Sequence, residues 1–342
     1  MGFPRNCTAA LLVLLVAVAT AGAQQKPVHP GESNVMIPGL GFNLASTVTL
    51  PAGAPAGGRH PAVILVPGSG PVDRDATVAG IPIFAQLTQA LAQQGYLVVR
   101  YDKRGVGQSG GRDERATIED YAADALSIYQ WLKRRKDVDK NRISIVGHSE
   151  GGAVAMIAAA REEDLAAVVL IAAPGTRGAD LILEQQRNLL DVMKTSEEER
   201  RAKIDLQQKI QLAVMTGVGW EALPAEMRKR ADSPWFKSLL EFDPAKWMPR
   251  VKQPLLIVQG ALDRQVPPDH AEKLAALARE RKKNPPVEVL HLPGVNHLLV
   301  RAETGEVAEY ARLKEKTIVP EVAAKIADFL RRPGSPTSVS RR

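Results

Sequence analysis

The chain has 342 residues, 45% of them hydrophobic and 24% charged, which is enough apolar material for a large core and excludes a low-complexity or disordered polymer. Its net charge of +7 invites a nucleic-acid or membrane-surface reading, but the basic residues are scattered over 133–136, 279–283 and Arg331, Arg332, Arg341 and Arg342. They lack interleaved aromatics and suit solvated helix ends, so no nucleic-acid partner is expected, and six dispersed histidines with one cysteine suggest neither a metal cluster nor a cofactor.

Residues 1–23 read as a secretory signal peptide. Arg5 gives a positive start, 11–19 is a short apolar core, and Ala21-Gly22-Ala23 offers a cleavage site before Gln24. The apolar run is well short of the roughly 20 residues a membrane span needs, so no stable membrane insertion is expected after cleavage. No Arg pair precedes the run, and Cys7 lies ahead of it rather than at the cleavage site. General export without a lipid anchor is therefore expected, to the periplasm or outside the cell. The mature protein then contains no cysteine and relies on its core instead of disulfides. Residues 24–33 are polar and Pro-containing and read as a tether.

Strands are expected at 34–37 and 42–50, joined through Pro38-Gly39-Leu40-Gly41, followed by a Pro/Gly/Ala loop over 51–58. Strands and helices then alternate: strand 62–66, helix 82–94, strand 97–101, helix 118–136, strand 142–146. The strands are unbroken apolar runs, as befits burial on both faces, so the pattern predicts a mostly parallel sheet with helices on both faces. Thr117 and Asp120 form a helix-start signal, and Ile118, Tyr121, Ala122, Ala125, Ile128 and Leu132 recur on one helical face.

After strand 166–173, ended by Pro174-Gly175, the alternation stops. Segments 180–193, 196–216 and 222–230 are helical and charged, with Ser196 and Glu199 as a capping box, and no strand returns before 255–259. A gap of roughly 75 residues exceeds ordinary loops. Residues 176–250 are accordingly expected to form a helical cap inserted between two parts of a sheet domain, 34–175 and 251–332. Trp220, Trp235, Phe236 and Trp247 fall in the cap and are candidates for a substrate pocket, with a small core for the cap itself as the competing role. Strand 255–259, helix 268–281, strand 287–292 and helix 319–330 complete the domain, and the Pro/Ser/Arg tail 333–342 is expected to be disordered.

Gly147-His148-Ser149-Glu150-Gly151 lies between the apolar run 143–146 and the small-residue run 152–160. This is the strand, sharp turn and helix of a nucleophile elbow, in which a serine hydroxyl is presented to a base and flanking glycines let the backbone close on itself. Among six histidines, His29 falls in the tether, His60 before a strand, His270 at the start of a surface helix and His291 inside a strand, pointing to the core or a helix interface. His148 is beside the serine and cannot fold back onto it, which leaves it a packing role. His297 follows a strand, on the rim that the carboxyl ends of parallel strands share, and is the expected base. Asp263 occupies the equivalent loop after the preceding strand and is the expected acid, with Asp269 as runner-up. The order Ser149, Asp263, His297 is the one this fold uses. A negative oxygen needs donors, and the backbone N–H of Glu150 and of Ser69, in the loop Pro67-Gly68-Ser69-Gly70-Pro71, are expected to supply them, with Gly70 as alternative.

With these residues in place the chain resembles the α/β-hydrolase superfamily over nearly its whole mature length. Gly147-His148-Ser149-Glu150-Gly151-Gly152, Gly260-Ala261-Leu262-Asp263 and Gly294-Val295-Asn296-His297 stand in matching positions. More narrowly, residues 67–75 and 100–109 and Ser233-Pro234-Trp235-Phe236 look like bacterial carboxylesterases with a helical cap, whose relatives include dienelactone hydrolases and serine peptidases. In that group a Pro-Gly or His-Gly pair introduces the oxyanion loop, and Pro67 stands where many superfamily members have His. The resemblance implies an α/β-hydrolase fold and a serine esterase that cleaves a small-molecule ester through an acyl-enzyme without metal or cofactor. Peptidase, amidase or thioesterase action on the same triad is the alternative, and a non-catalytic binding module is the rival from another class. Asp73, Arg74 and Asp75 are expected to brace the oxyanion loop. Asp102, Arg104 and Gly105 to Gly107 lack the spacing and Lys-Ser/Thr ending of a phosphate loop and are expected to form a structural turn.

Overall fold

The computed structural model describes residues 31–54 and 57–332. The expected signal peptide, the start of the tether and the tail 333–342 lie outside the described residues. Eight strands form one sheet in the order β1-β2-β6-β3-β7-β8-β9-β10. The amino-terminal hairpin, β1 (Glu32–Pro38) and β2 (Asn43–Thr49), is antiparallel and joins β6 (Leu97–Tyr101) antiparallel. From there β3 (His60–Val66), β7 (Val138–His148), β8 (Val168–Ile171), β9 (Leu255–Gly260) and β10 (Val287–Leu292) run parallel. The tether ends earlier than the expected 24–33, because Glu32 is already in β1 and its carboxylate is held 2.9 Å from Arg100.

Side chains alternate across a strand, so each apolar run feeds two cores. In β3, Ala62, Ile64 and Val66 join one core while Val63 and Leu65 join the other. The first core is covered by α2 (Ile118–Leu132), α3 (Glu150–Arg161) and α9 (Asp269–Arg279), the second by α1 (Ile83–Gln93) and α10 (Pro320–Arg331). Burial on both faces explains why the strands carry no polar alternation. Helix α2 starts where the sequence places it: Thr117 accepts from the Asp120 N–H, and the Asp120 carboxylate returns the bond to the Thr117 N–H at 2.9 Å. A short antiparallel ribbon, β4 (Thr77–Val78) and β5 (Ile81–Pro82), was not anticipated, since two-residue strands leave no periodic signal.

Between β8 and β9 the chain forms five helices: α4 (Gly178–Val192), α5 (Glu197–Thr216), α6 (Ala225–Ala231), α7 (Pro234–Glu241) and α8 (Pro244–Trp247). Ser196 caps α5 by accepting from the Glu199 N–H. Ala213, Val214, Trp220, Leu223 and Leu240 bury one another in a separate apolar cluster of these helices.

The segment that leaves β6 is anchored by charge. Asp102 accepts from Arg74 at Nε and Nη2, 3.0 and 2.7 Å, and from the Arg74 backbone N–H at 2.9 Å. Arg100 reaches Asp75 at 3.0 Å, and Arg104 grips Asp124 with two bonds of 2.7 and 2.8 Å. Arg74 and Asp75 of the expected brace are thus ion-paired with Asp102 and Arg100, and Arg104 of the expected turn with Asp124, all largely buried. Removing one partner leaves the other buried and unpaired, so Asp102→Ala is expected to lower the unfolding free energy by about 3 kcal/mol, measured by urea denaturation; a change within about 0.5 kcal/mol, the range of ordinary surface substitutions, would show that the brace carries no stability.

Candidate active site

The sheet register brings the separate motifs to one rim. Val66 at the end of β3 pairs with Gly147 near the end of β7, which sets the loop Pro67-Gly68-Ser69 beside Ser149. The turn at Ser149 is tight: its backbone sits at φ 57° and ψ −124°, and the peptides around it are tied by Ser149 N–H to the Ile171 carbonyl and Gly152 N–H to the Ser149 carbonyl, both 2.9 Å. A non-glycine residue in this region is strained by about 1–3 kcal/mol. The turn closes only because Gly147 and Gly151 lack side chains. A Cβ on Gly147 would lie 2.0 Å from the Gly151 carbonyl oxygen, and one on Gly151 would lie 2.1 Å from that of Val66. Ser149 precedes the first turn of α3, yet its hydroxyl makes no capping bond to the helix.

Asp263 and His297 meet at the ends of β9 and β10. His297 Nδ1 lies 2.8 Å from Asp263 Oδ2, and both side chains are almost fully buried. The remaining acceptor capacity of Asp263 is filled by the N–H groups of Gln265 and Val266, each 2.9 Å, and by Gln259 Nε2 at 3.1 Å. A carboxylate surrounded by N–H donors accepts from Nδ1–H, which leaves the Nε2 lone pair of His297 free to take a proton. Asn296 shapes the loop, its side-chain oxygen accepting from Leu298 N–H at 2.9 Å and Val300 N–H at 3.3 Å. Ser149, His297, Ser69, Gly70 and Glu150 all line one cavity of about 140 Å³. Glu150 is the first residue of α3, where the N–H has no intrahelical acceptor and is available to an anion. Asp269, the alternative acid, lies in the first turn of α9, over half exposed and 2.7 Å from Lys273.

A family model described as Hydrolase_4, serine aminopeptidase, S33, matches residues 81–301, more than half of the chain. The chain belongs to this family. Esterase EstD of Thermotoga maritima is 28% identical over 295 residues, which cover 85% of this chain and 66% of that protein, just under two thirds of its length. The uncharacterised Rv2307c of Mycobacterium tuberculosis is 26% identical over 313 residues, 86% of this chain and 89% of its own. Among solved structures, the α/β hydrolase GrgF of Penicillium sp. sh18 matches with a TM-score of 0.58 at 20% identity, covering 89% of this chain and 99% of that one. The Pyrococcus furiosus esterase Pf2001 matches at 0.56 and 18%, covering 89% and 91%. At such identities the solved structures establish the fold, which is that of the α/β hydrolases.

Within this hydrolase family member, the four candidate pocket aromatics part company. Only Trp235 lines the cavity. Trp220 is buried in the cluster of the inserted helices, serving the competing role foreseen for it. Phe236 follows Trp235 by one residue, and the turn of α7 carries it away, into the contact between that cluster and the main core. Trp247 packs with Arg161 and Arg250, whose guanidinium groups lie 5.7 and 5.2 Å from its ring, and does not line the cavity. The cavity wall is instead aliphatic, drawn from Val72, Ala76, Val78 and Ile83 on one side and Leu181 and Leu239 on the other. Val78 belongs to the ribbon the sequence hides, and Ala76 directly precedes it.

His291 shares a face of β10 with Val287 and Val289 and reaches Glu272 of α9 at 2.9 Å, at the exposed margin of the helix interface that was one of the two places expected for it. One trio of potential metal ligands occurs among the described residues, Glu184, Asp269 and His270. His270 Nδ1 accepts from Gly175 N–H at 2.9 Å, so its Nε2 carries the hydrogen that Glu184 accepts at 2.8 Å, and neither nitrogen keeps a lone pair for an ion.

His148 does more than pack. Its Nε2 lies 2.8 Å from the His297 carbonyl oxygen, with the two rings 4.8 Å apart, so it fixes the backbone that carries His297. Burial, then the neighbouring His297, lowers its pKa to about 3. An unfolded histidine titrates near 6.5, so the unfolded chain binds this proton first. The contribution is therefore intact above about pH 6.5, and stability falls towards pH 3 by about 1.4 kcal/mol per unit. His148→Gln keeps a donor to the His297 carbonyl and removes the titration. Between pH 7 and 5 the wild type is expected to lose about 2 kcal/mol more than the variant, read by urea unfolding at both pH values; equal losses would show that His148 is readily charged inside the fold.

Proposed function

We propose that this chain is a serine hydrolase that cleaves carboxylic esters of small acyl groups through an acyl-enzyme. The observation that carries the reading is the buried 2.8 Å pair of His297 and Asp263 opening on the same cavity as Ser149 on its strained turn. Ser149 Oγ attacks the ester carbonyl carbon while His297 Nε2 takes the hydroxyl proton. The imidazolium returns that proton to the departing alkoxide, and water then repeats the sequence on the acyl-enzyme to release the acid. Asp263 holds the imidazole in the tautomer that leaves Nε2 free and stabilises the imidazolium. The N–H groups of Glu150 and Ser69 bind the oxygen that becomes negative at each tetrahedral stage.

Two features favour small esters over peptides. The cavity of about 140 Å³ is well below the 300–1,000 Å³ or so of sites that take drug-sized ligands, and its wall is aliphatic. Cleavage from an amino terminus also calls for a counter-charge to the substrate ammonium. Glu150 is the carboxylate lining the cavity, and its two oxygens are taken by Lys103 and Trp235. The esterase name of the Thermotoga relative points the same way. The aminopeptidase description of the family supports amide cleavage as the second reading.

Nitrophenyl esters are expected to be turned over best with two to four acyl carbons, and Ser149→Ala to abolish turnover without shifting the unfolding midpoint. Asp263→Asn is expected to lower kcat by about 10,000-fold through loss of the working tautomer. Faster cleavage of aminoacyl arylamides than of esters would reverse the order of the two readings. A wild type that fails to label with a fluorophosphonate would favour a binding module instead. We also read residues 1–23 as an export signal that delivers the enzyme to the periplasm or the medium, and amino-terminal sequencing of the exported protein is expected to begin at Gln24.

A further inference from the structure

A buried ion pair lies under the site and is not used by the proposed mechanism. Lys103, just past β6, and Glu150 approach to 3.0 Å with side chains 4% and 1% exposed. Burying two charges costs desolvation that their attraction often fails to recover, and an apolar pair is frequently as stable, so stability alone does not account for it. The partners of the two groups are specific. The Lys103 ammonium also donates to the Gly68 carbonyl at 3.1 Å and sits 4.0 Å above the Tyr121 ring. The second oxygen of Glu150 accepts the indole N–H of Trp235, on α7, at 2.7 Å.

Gly68 C=O and Ser69 N–H are the two ends of one planar trans peptide and point in opposite directions. Holding the carbonyl on Lys103 turns the Ser69 N–H the other way, and Ser69 lines the cavity beside Ser149. The other donor is the backbone N–H of Glu150 itself, the residue whose carboxylate holds the same ammonium. Both N–H groups are thus referred to one buried charge.

We infer that Lys103 and Glu150 are positioning residues that preorganise the oxyanion donors, and that Trp235 couples this setting to the inserted helices. The inference rests on the ester-hydrolase reading above. Preorganised donors act where charge develops, so their misplacement lowers the rate of the chemical step more than it weakens substrate binding. Gly68, Ser69 and Gly70 carry no side chain large enough to hold this part of the loop by packing, which is why a directional anchor matters here.

The test is the double variant Lys103→Met/Glu150→Gln. It removes the charges together, avoids an unpaired buried ion and keeps an acceptor for Trp235. With a short-acyl nitrophenyl ester, kcat is expected to fall about 100-fold, the scale of losing one oxyanion donor, while KM stays within about threefold. A trifluoromethyl ketone adds to Ser149 Oγ, its proton passing to His297 and its oxygen becoming the anion, so its affinity should fall by the same factor as kcat/KM. The urea midpoint should be unchanged. A folded double variant with wild-type kcat and ketone affinity overturns the inference, as does a rise in KM with kcat and ketone affinity intact. If the double variant does not fold, Glu150→Gln alone is expected to show the same pattern at about tenfold, the worth of one charge-assisted hydrogen bond. Unfolding of both variants would assign the pair to stability and overturn the inference as well. A wild type that neither hydrolyses the ester nor binds the ketone overturns the ester-hydrolase reading itself, which distinguishes the two failures.

Discussion

The turn at Ser149 is the constraint around which the rest is arranged. A non-glycine residue at φ 57° is held only where its surroundings leave no alternative. Here the surroundings are backbone: Ser149 is bonded to the end of β8, Gly147 and Gly151 close on each other, and Gly151 lies against the end of β3. The strain is therefore distributed over three adjacent parallel strands, β3, β7 and β8. That arrangement fixes a hydroxyl in space without giving it a capping role in α3.

Parallel register then does the work of assembly. All strands from β6 to β10 end on one rim, so loops far apart in sequence emerge side by side. Asp263 and His297 are 34 residues apart, yet β9 and β10 pair with Gly260 opposite Leu292. The approach of the two loops is close enough that a Cβ on Gly260 would lie 2.4 Å from the Val295 carbonyl oxygen. His148 closes the circuit by bonding the His297 backbone, so the turn at Ser149 and the loop of His297 are joined directly as well as through the sheet.

What the sequence revealed follows from what leaves a pattern. Buried strands, amphipathic helices and caps are written in consecutive residues, and β6 and β10 are bounded where the apolar runs begin and end. The convergence of Ser149, Asp263 and His297 on one rim was legible because each sits at a fixed offset from such a strand. The pocket wall was not, for two reasons. Its aliphatic side chains, such as Val78 and Leu181, look like any core residue, and those of the β4–β5 ribbon lie in an element too short to be periodic. Aromatic content was a poor guide, since one helical step separates Trp235, at the cavity, from Phe236, which is not. Lys103 and the Glu150 carboxylate meet across 47 residues of sequence, and no local spacing announces their contact.

The charges around the loop Pro67-Gly68-Ser69-Gly70-Pro71 share a logic. Arg100, Asp102, Lys103 and Arg104 are nearly consecutive, and each is paired with a largely buried or partly buried group of opposite charge. Apolar packing is non-directional and scales with area, so it holds helices and strands well but holds a loop of Pro, Gly and Ser poorly. Hydrogen-bonded ion pairs fix direction as well as distance. Arg74, just beyond the loop, is gripped by Asp102, and the Gly68 carbonyl within it by Lys103. The loop is thus held at both ends from a single segment of backbone that leaves β6, the strand hydrogen-bonded beside β3. Rigid sheet, charged anchor and strained turn in this way act on the same few peptide groups, and the geometry of those groups is what a developing negative oxygen would meet.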